Sequence, residues 1–343
     1  MTDALRYRDA GVDIDAAQVA LERVKGRIRA TFTPDTLSDV GLFGGLYRVP
    51  AGYRRPVLVA STDGVGTKLK VACLADRHDT VGEDLVNHCV NDVVVQGARP
   101  LFFLDYLALG RVRPEVVAAV LEGVVRGCLA NGCALLGGET AEMADVYAPG
   151  EYDLAGTMVG IVEEEAILDG RAVRPGDAVL GLASSGLHTN GYTLARRILF
   201  DRLGLGVHDR FPGLDASVAD VLLRVHKSYW PALREPLVWG GIHALAHITG
   251  GGLVDNLPRV LPSDCAVVLR PGSWEVPVEF RVLQELGGIP EEEMCRVFNL
   301  GVGMVAIVAP DRAEALLRYW EERGERAWPI GEVVRGTPGV RWG

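Results

Sequence analysis

The chain has 343 residues, 48% apolar and 23% charged, with 42 glycines and 18 prolines. That composition excludes a disordered tail, a fibrous repeat and a small stapled scaffold, and the length suits two domains of roughly 150 residues each. Acidic residues outnumber basic ones 45 to 35, for a net charge of −10, which argues against a nucleic-acid or anionic-membrane binder because either needs a basic face.

In chain order, residues 15–29 carry a helical pattern, and PVLVA (56–60) reads as a short buried strand leading into the loop STDGVGTK (61–68). Residues 82–97 place apolar or small side chains at 86, 89, 90, 93, 94 and 97, a helical stripe whose opposite face collects Asp84, Asn87, His88, Asn91 and Asp92. LFFLDYLAL (101–109) is a buried strand with one acid, Asp105, open to reading as a site residue or a satisfied core carboxylate. Pro114 opens the next helix and Gly132 closes it. Strands follow at 133–136, ahead of GGET, and at 152–162. The strand–helix–strand order implies parallel pairing there. The charged segment 163–177 is the expected boundary, dividing the chain into domains 1–168 and 169–343. Beyond it the pattern predicts a strand from 177, a helix over 191–203, helical segments over 216–238, a helix over 276–287, a strand at 301–309, a helix at 311–323 and a strand at 327–334. The fold class is therefore two α/β domains.

The longest stretches free of Asp, Glu, Lys and Arg, 178–195 and 236–254, are broken by glycines, histidines and polar residues rather than continuously apolar, so no bilayer span is expected. The opening MTDALRYRDAGVD has acids early and no apolar run, unlike a secretory signal. Cysteines at 73, 89, 128, 133, 265 and 295 form no CxxC pair and read as reduced core residues of a cytoplasmic protein.

Four glycine-rich loops follow strand-like segments: STDGVGTK, LGGET (136–140), SSGLHTNG (184–191) and ITGGG (248–252). Backbone N–H groups in such loops can face anionic oxygens; one such loop alone is more often a turn, and it is the occurrence of four that points to a site. The nucleotide-triphosphatase pattern GxxxxGK[ST], the dinucleotide fingerprint GxGxxG and the nucleophile elbow GxSxG are all absent. Asp63, Asp92 and Glu139 border these loops as hard oxygen donors suited to Mg²⁺, with a cap or turn role as the plainer alternative. His188 either donates to a phosphate and moves a proton or packs its loop. His243 and His247, four apart, have metal-ligand spacing for a helix, but their apolar setting favours packing; His78, His208 and His226 carry no special signal.

Six blocks together resemble the phosphoribosylformylglycinamidine cyclo-ligase family, the aminoimidazole ribonucleotide synthetases of purine biosynthesis. They are YRDAGVDIDA (7–16), STDGVGTKLKVA (61–72), VNDVVVQGARPLFFLDYLA (90–108), GGETAEM (137–143), SSGLHTNGY (184–192) and TGGGLVDNLPRVLP (249–262). The run from Asp92 through Gly97-Ala98 to Pro100 matches the DxxxxGAxP signature of the wider ATP-using superfamily. The resemblance implies a homodimer in which the first domain contributes strands to a shared β-barrel, with an α/β sandwich domain packed against it. It implies ATP-dependent ring closure of formylglycinamidine ribonucleotide through an iminophosphate, with ATP and Mg²⁺ as cofactors. By motif it places Asp63, Gly64, Lys68, Asp92, Gly137, Gly138 and Glu139 on the ATP–metal side, with Asp63, Asp92 and Glu139 as metal ligands. Lys25, Gly44 and Gly45 lie near the nucleotide as a flexible cover, and His188, Thr189, Asn190, Gly250, Gly251 and Gly252 face the substrate. Lys25, Lys68, Asp92 and His188 are the expected catalytic set. The nearest alternatives are a selenophosphate synthetase, a thiamine-phosphate kinase, half of a formylglycinamidine synthase, or a non-catalytic nucleotide-binding regulator.

Overall fold

A computed structural model describes residues 11–343; residues 7–10 of the first resembling block lie outside the described residues. The N-terminal half comprises α1 (Ile14–Arg29), β1 (Pro56–Gly64), α2 (Lys68–Ala75), α3 (Val81–Val94), β2 (Arg99–Leu109), α4 (Pro114–Asn131), β3 (Ala134–Glu142) and β4 (Tyr152–Glu163). Pro114 sits in the first turn of α4, and Gly132 ends the helix at φ +66°, as the sequence predicts.

The four strands form one open sheet in the order β1-β4-β2-β3. The β2–β3 pair, bridged by α4, is parallel, and both pairs made by β4 are antiparallel. Alternation along β2 turns Phe103, Asp105 and Leu107 inward and exposes Leu104 and Tyr106 on the opposite face. The register aligns Tyr106 with Glu139, so that carboxylate belongs to the outward face. Asp63 is opposite Gly156, which is itself opposite Asp105, and so belongs to the inward face.

The C-terminal half has six strands, β5 (Ala178–Ala183), β6 (Ile242–His247), β7 (Cys265–Leu269), β8 (Val302–Val308), β9 (Ala327–Arg335) and β10 (Val340–Trp342). Their order is β10-β7-β9-β5-β8-β6, antiparallel except for β10–β7. The helical segments expected over 216–238 are three short helices, Val218–Leu222, Trp230–Leu233 and Pro236–Trp239. Pro231 and Pro236 stand in the first turns of the latter two, because proline suits a helix start and not its interior.

One apolar core runs through both halves, joining Leu85, Val90 and Val124 to Leu187, Tyr192 and Phe280. A second lies on the other face of the larger sheet, around Val179, Val267 and Ile307. The continuous core fixes the two halves relative to one another. Among the described residues, no helix is long and apolar enough to cross a membrane.

Candidate active site in the interdomain cleft

The junction is organised by α3. Its polar face, which the helical pattern alone would leave in water, is covered by the C-terminal half. Asn87 Nδ2 donates to the His226 carbonyl (2.7 Å) and Asn91 Nδ2 to the Lys227 carbonyl (2.9 Å). The Tyr229 amide donates to Asn91 Oδ1 (2.9 Å), and the His226 amide to Asp84 Oδ1 (2.6 Å). A buried irregular segment needs partners for its backbone, and the polar side of α3 supplies them for residues 226–229.

Lys68 opens α2 and turns its side chain into this junction. Its Nζ lies 2.8 and 2.9 Å from the two Asp84 oxygens and donates to the carbonyls of Arg224 (2.6 Å) and His188 (3.2 Å). Both side chains of the pair are fully buried. Burial pushes the ammonium pKa down and the carboxyl pKa up. The surrounding acceptors and the mutual attraction keep the pair ionic.

A cleft of about 660 Å³ opens beside the junction, with β1 and α3 on one wall and β6 with the 249–260 segment on the other. Asp63 and Asp92 both line it. A continuous hydrogen-bonded chain joins them through both halves of the molecule. His88 Nε2 lies 2.9 Å from Asp63 Oδ2, and His88 Nδ1 lies 2.7 Å from Thr189 Oγ1. Thr189 Oγ1 is 3.3 Å from His226 Nδ1, His226 Nε2 is 3.1 Å from His247 Nε2, and His247 Nδ1 is 2.8 Å from Asp92 Oδ1.

With both carboxylates ionised, each adjoining ring must donate to its carboxylate, and counting donors leaves three arrangements, in which the one extra proton sits on His88, on His226 or on His247 while the other two rings are neutral. The electrostatics favour the first. Burial opposes a charge on His88, but the Asp63 hydrogen bond and the Asp63 and Asp92 charges outweigh it, so its pKa rises. Burial pushes His226 well below its ordinary value, helped by the neighbouring rings. It also lowers His247, despite the Asp92 hydrogen bond. Burial works against ionisation of Asp92 too, yet His247 and the Ser61 hydroxyl, donating at 3.0 Å, hold its carboxyl at about 2. Asp92 is therefore anionic throughout the neutral range.

The residues singled out in the sequence divide into three groups. Asp63 and Asp92 come together in the cleft, and Gly64 adjoins them, its amide donating to Asp63 Oδ1 (3.2 Å). Thr189 sits inside the hydrogen-bonded chain. A second group lies away from the cleft. Glu139 is exposed on β3, with two strands between it and β1 and on the opposite face of the sheet from Asp63, so one chain does not unite the three expected metal ligands. Gly137 and Gly138 share its strand, and a Cβ on Gly138 would come within 2.1 Å of Asp105 Oδ1. Asp105 is buried, and burial raises its pKa to about 7. Gly45 packs on the side chain of Leu136 at the start of this edge, Gly44 is open, and Lys25 pairs with Glu22 at 2.9 Å on α1.

The third group is structural in this conformation. His188, at φ +59° and 1% exposed, stacks on His226 with ring centroids 4.0 Å apart. Its Nε2 accepts from the Ser185 amide (3.2 Å), its Nδ1 has no partner, and burial drives its pKa well down. Neither His188 nor Lys68 reaches the cleft, because both are enclosed where the two halves meet. Gly252 is required by packing: a Cβ there would lie 1.9 Å from the Cys295 carbonyl oxygen. Gly251 has φ +99°, and Gly250 stands beside Asn190 Oδ1, whose Nδ2 is buried without a partner.

Sequence reasoning did not assign site roles to His88, His226, His247, Asn256 or Arg259. His88 had a usable signal in sharing the helix face of Asp92. His247 lies on strand β6, which has an irregularity between Ile242 and Ala244, so the helical spacing considered for His243 and His247 does not apply. His243 contacts Asp177 (2.7 Å) while His247 contacts Asp92, and the two share no ligand site.

Residues 46–162 match the N-terminal domain, and residues 174–343 the C-terminal domain, of AIR synthase related proteins. Fold and site thus define a two-domain protein of the AIR synthase class. The phosphoribosylformylglycinamidine cyclo-ligase of Geotalea daltonii is 52% identical over 337 residues, covering 98% of this chain and 97% of that protein. That of Geobacillus kaustophilus is 49% identical, covering 97% of each chain. The chain belongs to the phosphoribosylformylglycinamidine cyclo-ligase family. Solved structures share its fold at lower identity. Thiamine-monophosphate kinase from Stenotrophomonas maltophilia superposes with a TM-score of 0.67 at 21% identity, covering 94% of this chain and 95% of that one. The hydrogenase maturation protein HypE in complex with ATP gives 0.66 at 21% identity, covering 94% and 90%.

Proposed function

We propose that the interdomain cleft carries out the family's reaction: ATP-dependent closure of formylglycinamidine ribonucleotide to aminoimidazole ribonucleotide, with release of ADP and phosphate, in purine biosynthesis. The observation that carries the site assignment is the pair of cleft-lining carboxylates, Asp63 and Asp92, each held by a buried histidine. An amide oxygen is a poor leaving group, and phosphorylation makes it a good one. In this reading the formyl oxygen attacks the γ-phosphorus and forms an O–P bond as the bond to ADP breaks, and the formamide nitrogen gives up its proton as its bond to carbon becomes the imine. The amidine nitrogen then attacks the resulting iminophosphate carbon, the C–O bond breaks, phosphate leaves, and a proton is lost from nitrogen. Enzymes accelerate such phosphoryl transfers by alignment and charge stabilisation.

The donor set suits Mg²⁺, a hard ion bound through one or two carboxylates together with substrate phosphates. Asp63 and Asp92 would hold it, and when bound it would offset the charge of the triphosphate. The histidines keep both carboxylates oriented toward the cleft, and Lys68 and His188 hold the junction behind them.

A homodimer accounts for the second group. The outward face of the N-terminal sheet exposes Leu58, Leu104 and Tyr106, and an open sheet with such a face favours pairing with another copy. Two such sheets would form the shared barrel. Glu139, Gly137 and the loop with Gly44 and Gly45 lie on or beside that face, where the pairing would bring them to a nucleotide bound near the interface, with Lys25 as part of the cover. The domain division at 168/169 and a reducing cytoplasm, consistent with six free cysteines, complete the reading.

Incubation with ATP, Mg²⁺ and formylglycinamidine ribonucleotide should release ADP and phosphate together with aminoimidazole ribonucleotide, from a species sedimenting at twice the chain mass. ADP release indifferent to the ribonucleotide would contradict the cyclo-ligase reading, and a monomer would contradict the dimer.

A further inference from the structure

The two walls of the cleft differ in charge. The N-terminal wall carries Asp63 and Asp92, whereas Arg259 is the single lysine or arginine among the lining residues and belongs to the C-terminal wall. Arg259 stands on the short turn Leu257–Val260 and is exposed to the cleft. Its Nη1 donates to Asn256 Oδ1 at 3.2 Å. Among the described residues, no carboxylate lies within ion-pair distance of it; the other pairs of this segment involve Asp255 with Arg296.

Asn256 is itself a built support. It is 3% exposed, and its Nδ2 lies within donor range of the carbonyls of Gly252 (2.8 Å), Gly250 (3.2 Å) and Thr249 (3.4 Å). The amide donors are thus consumed by the glycine loop, and the amide oxygen accepts from Arg259 and, at 3.4 Å, from the Thr249 hydroxyl. The packing of Gly252 under the Cys295 carbonyl fixes that loop. A buried, fully engaged side chain therefore orients an arginine that has no carboxylate partner among the described residues, on the wall opposite two carboxylates.

We propose that Arg259, oriented by Asn256, is the seat for the phosphate monoester of the sugar-phosphate substrate. This rests on the cyclo-ligase reading and adds a residue to it. The planar guanidinium offers paired donors that match phosphate oxygens. A triphosphate can approach the carboxylate wall with a metal between them, whereas a phosphate monoester without a metal is favoured on the wall that carries a cation. Asn256 acts as a positioning residue, since its oxygen touches Arg259 rather than the ligand.

The test is equilibrium binding of ribose 5-phosphate and, separately, of ATP to the full-length protein and to Arg259→Met and Arg259→Lys. Loss of a charge-assisted pair predicts ribose 5-phosphate affinity at least about tenfold weaker in Arg259→Met, with a smaller loss in Arg259→Lys, which keeps the charge but not the fork. ATP affinity should stay within about threefold, well short of that loss. Unchanged ribose 5-phosphate binding would overturn the proposal, as would a loss confined to ATP or equal for both ligands. Turnover by the unaltered protein is a separate measurement, so failure of the cyclo-ligase reading is distinguishable from failure of the seat.

Discussion

Replacing Asp92 by Asn should lower turnover by at least about 10²-fold while leaving the thermal midpoint nearly unchanged, an effect of the size expected when a residue stabilising charge in the transition state is lost. The substitution preserves shape and an oxygen that can accept from His247 Nδ1 or the Ser61 hydroxyl, both of which now bond the carboxylate. What it removes is the negative charge, which the low pKa of about 2 guarantees at neutral pH. The side chain keeps 28% of its surface accessible, so no buried charge is orphaned by the change. Steady-state ADP release at saturating Mg²⁺ and a melting curve separate the two effects. Near-normal turnover would remove Asp92 from the metal and phosphate machinery.

Lys68→Met should have the opposite signature, with stability lost first. Removing one member of a fully buried pair leaves the other charge uncompensated and typically costs about 3–5 kcal/mol, which for a chain of this length corresponds to a fall of roughly 4–7 °C in the midpoint. Asp84 would lose its ammonium partner while still accepting the His226 amide, so the disturbance spreads to the segment that carries His226. Adding Asp84→Asn should recover part of the loss by removing the orphaned charge. If Lys68 instead served chiefly as a phosphate ligand, Lys68→Met would melt like the parent protein and lose turnover alone.

These contrasts show how far the amino-acid sequence could be read. Periodicity located β1, α3, β2, α4 and most later elements, because each has a clear apolar pattern and Pro114 and Gly132 mark helix ends by backbone geometry. Asp63 and Asp92 were recognisable because each adjoins a motif. Lys68 also lies in a motif, but no local pattern tells whether a helix-opening lysine faces solvent or a neighbouring domain. Glu139 looked equivalent to Asp63 in sequence. The strand order β1-β4-β2-β3 places them at opposite edges, and the alternation of side chains places them on opposite faces. His226 had no signal, because its partners come from residues 189 and 247 and from α3, elements brought together only by tertiary packing. The polar stripe on α3 was visible, but its purpose depended on the segment that covers it.

The most direct test of the chemistry uses formylglycinamidine ribonucleotide labelled with oxygen-18 in the formyl group and a single round of ring closure with ATP. Transfer of that oxygen to γ-phosphorus before ring closure predicts one labelled oxygen in each inorganic phosphate released. Unlabelled phosphate, formed while aminoimidazole ribonucleotide accumulates, would contradict phosphoryl activation of the formyl group.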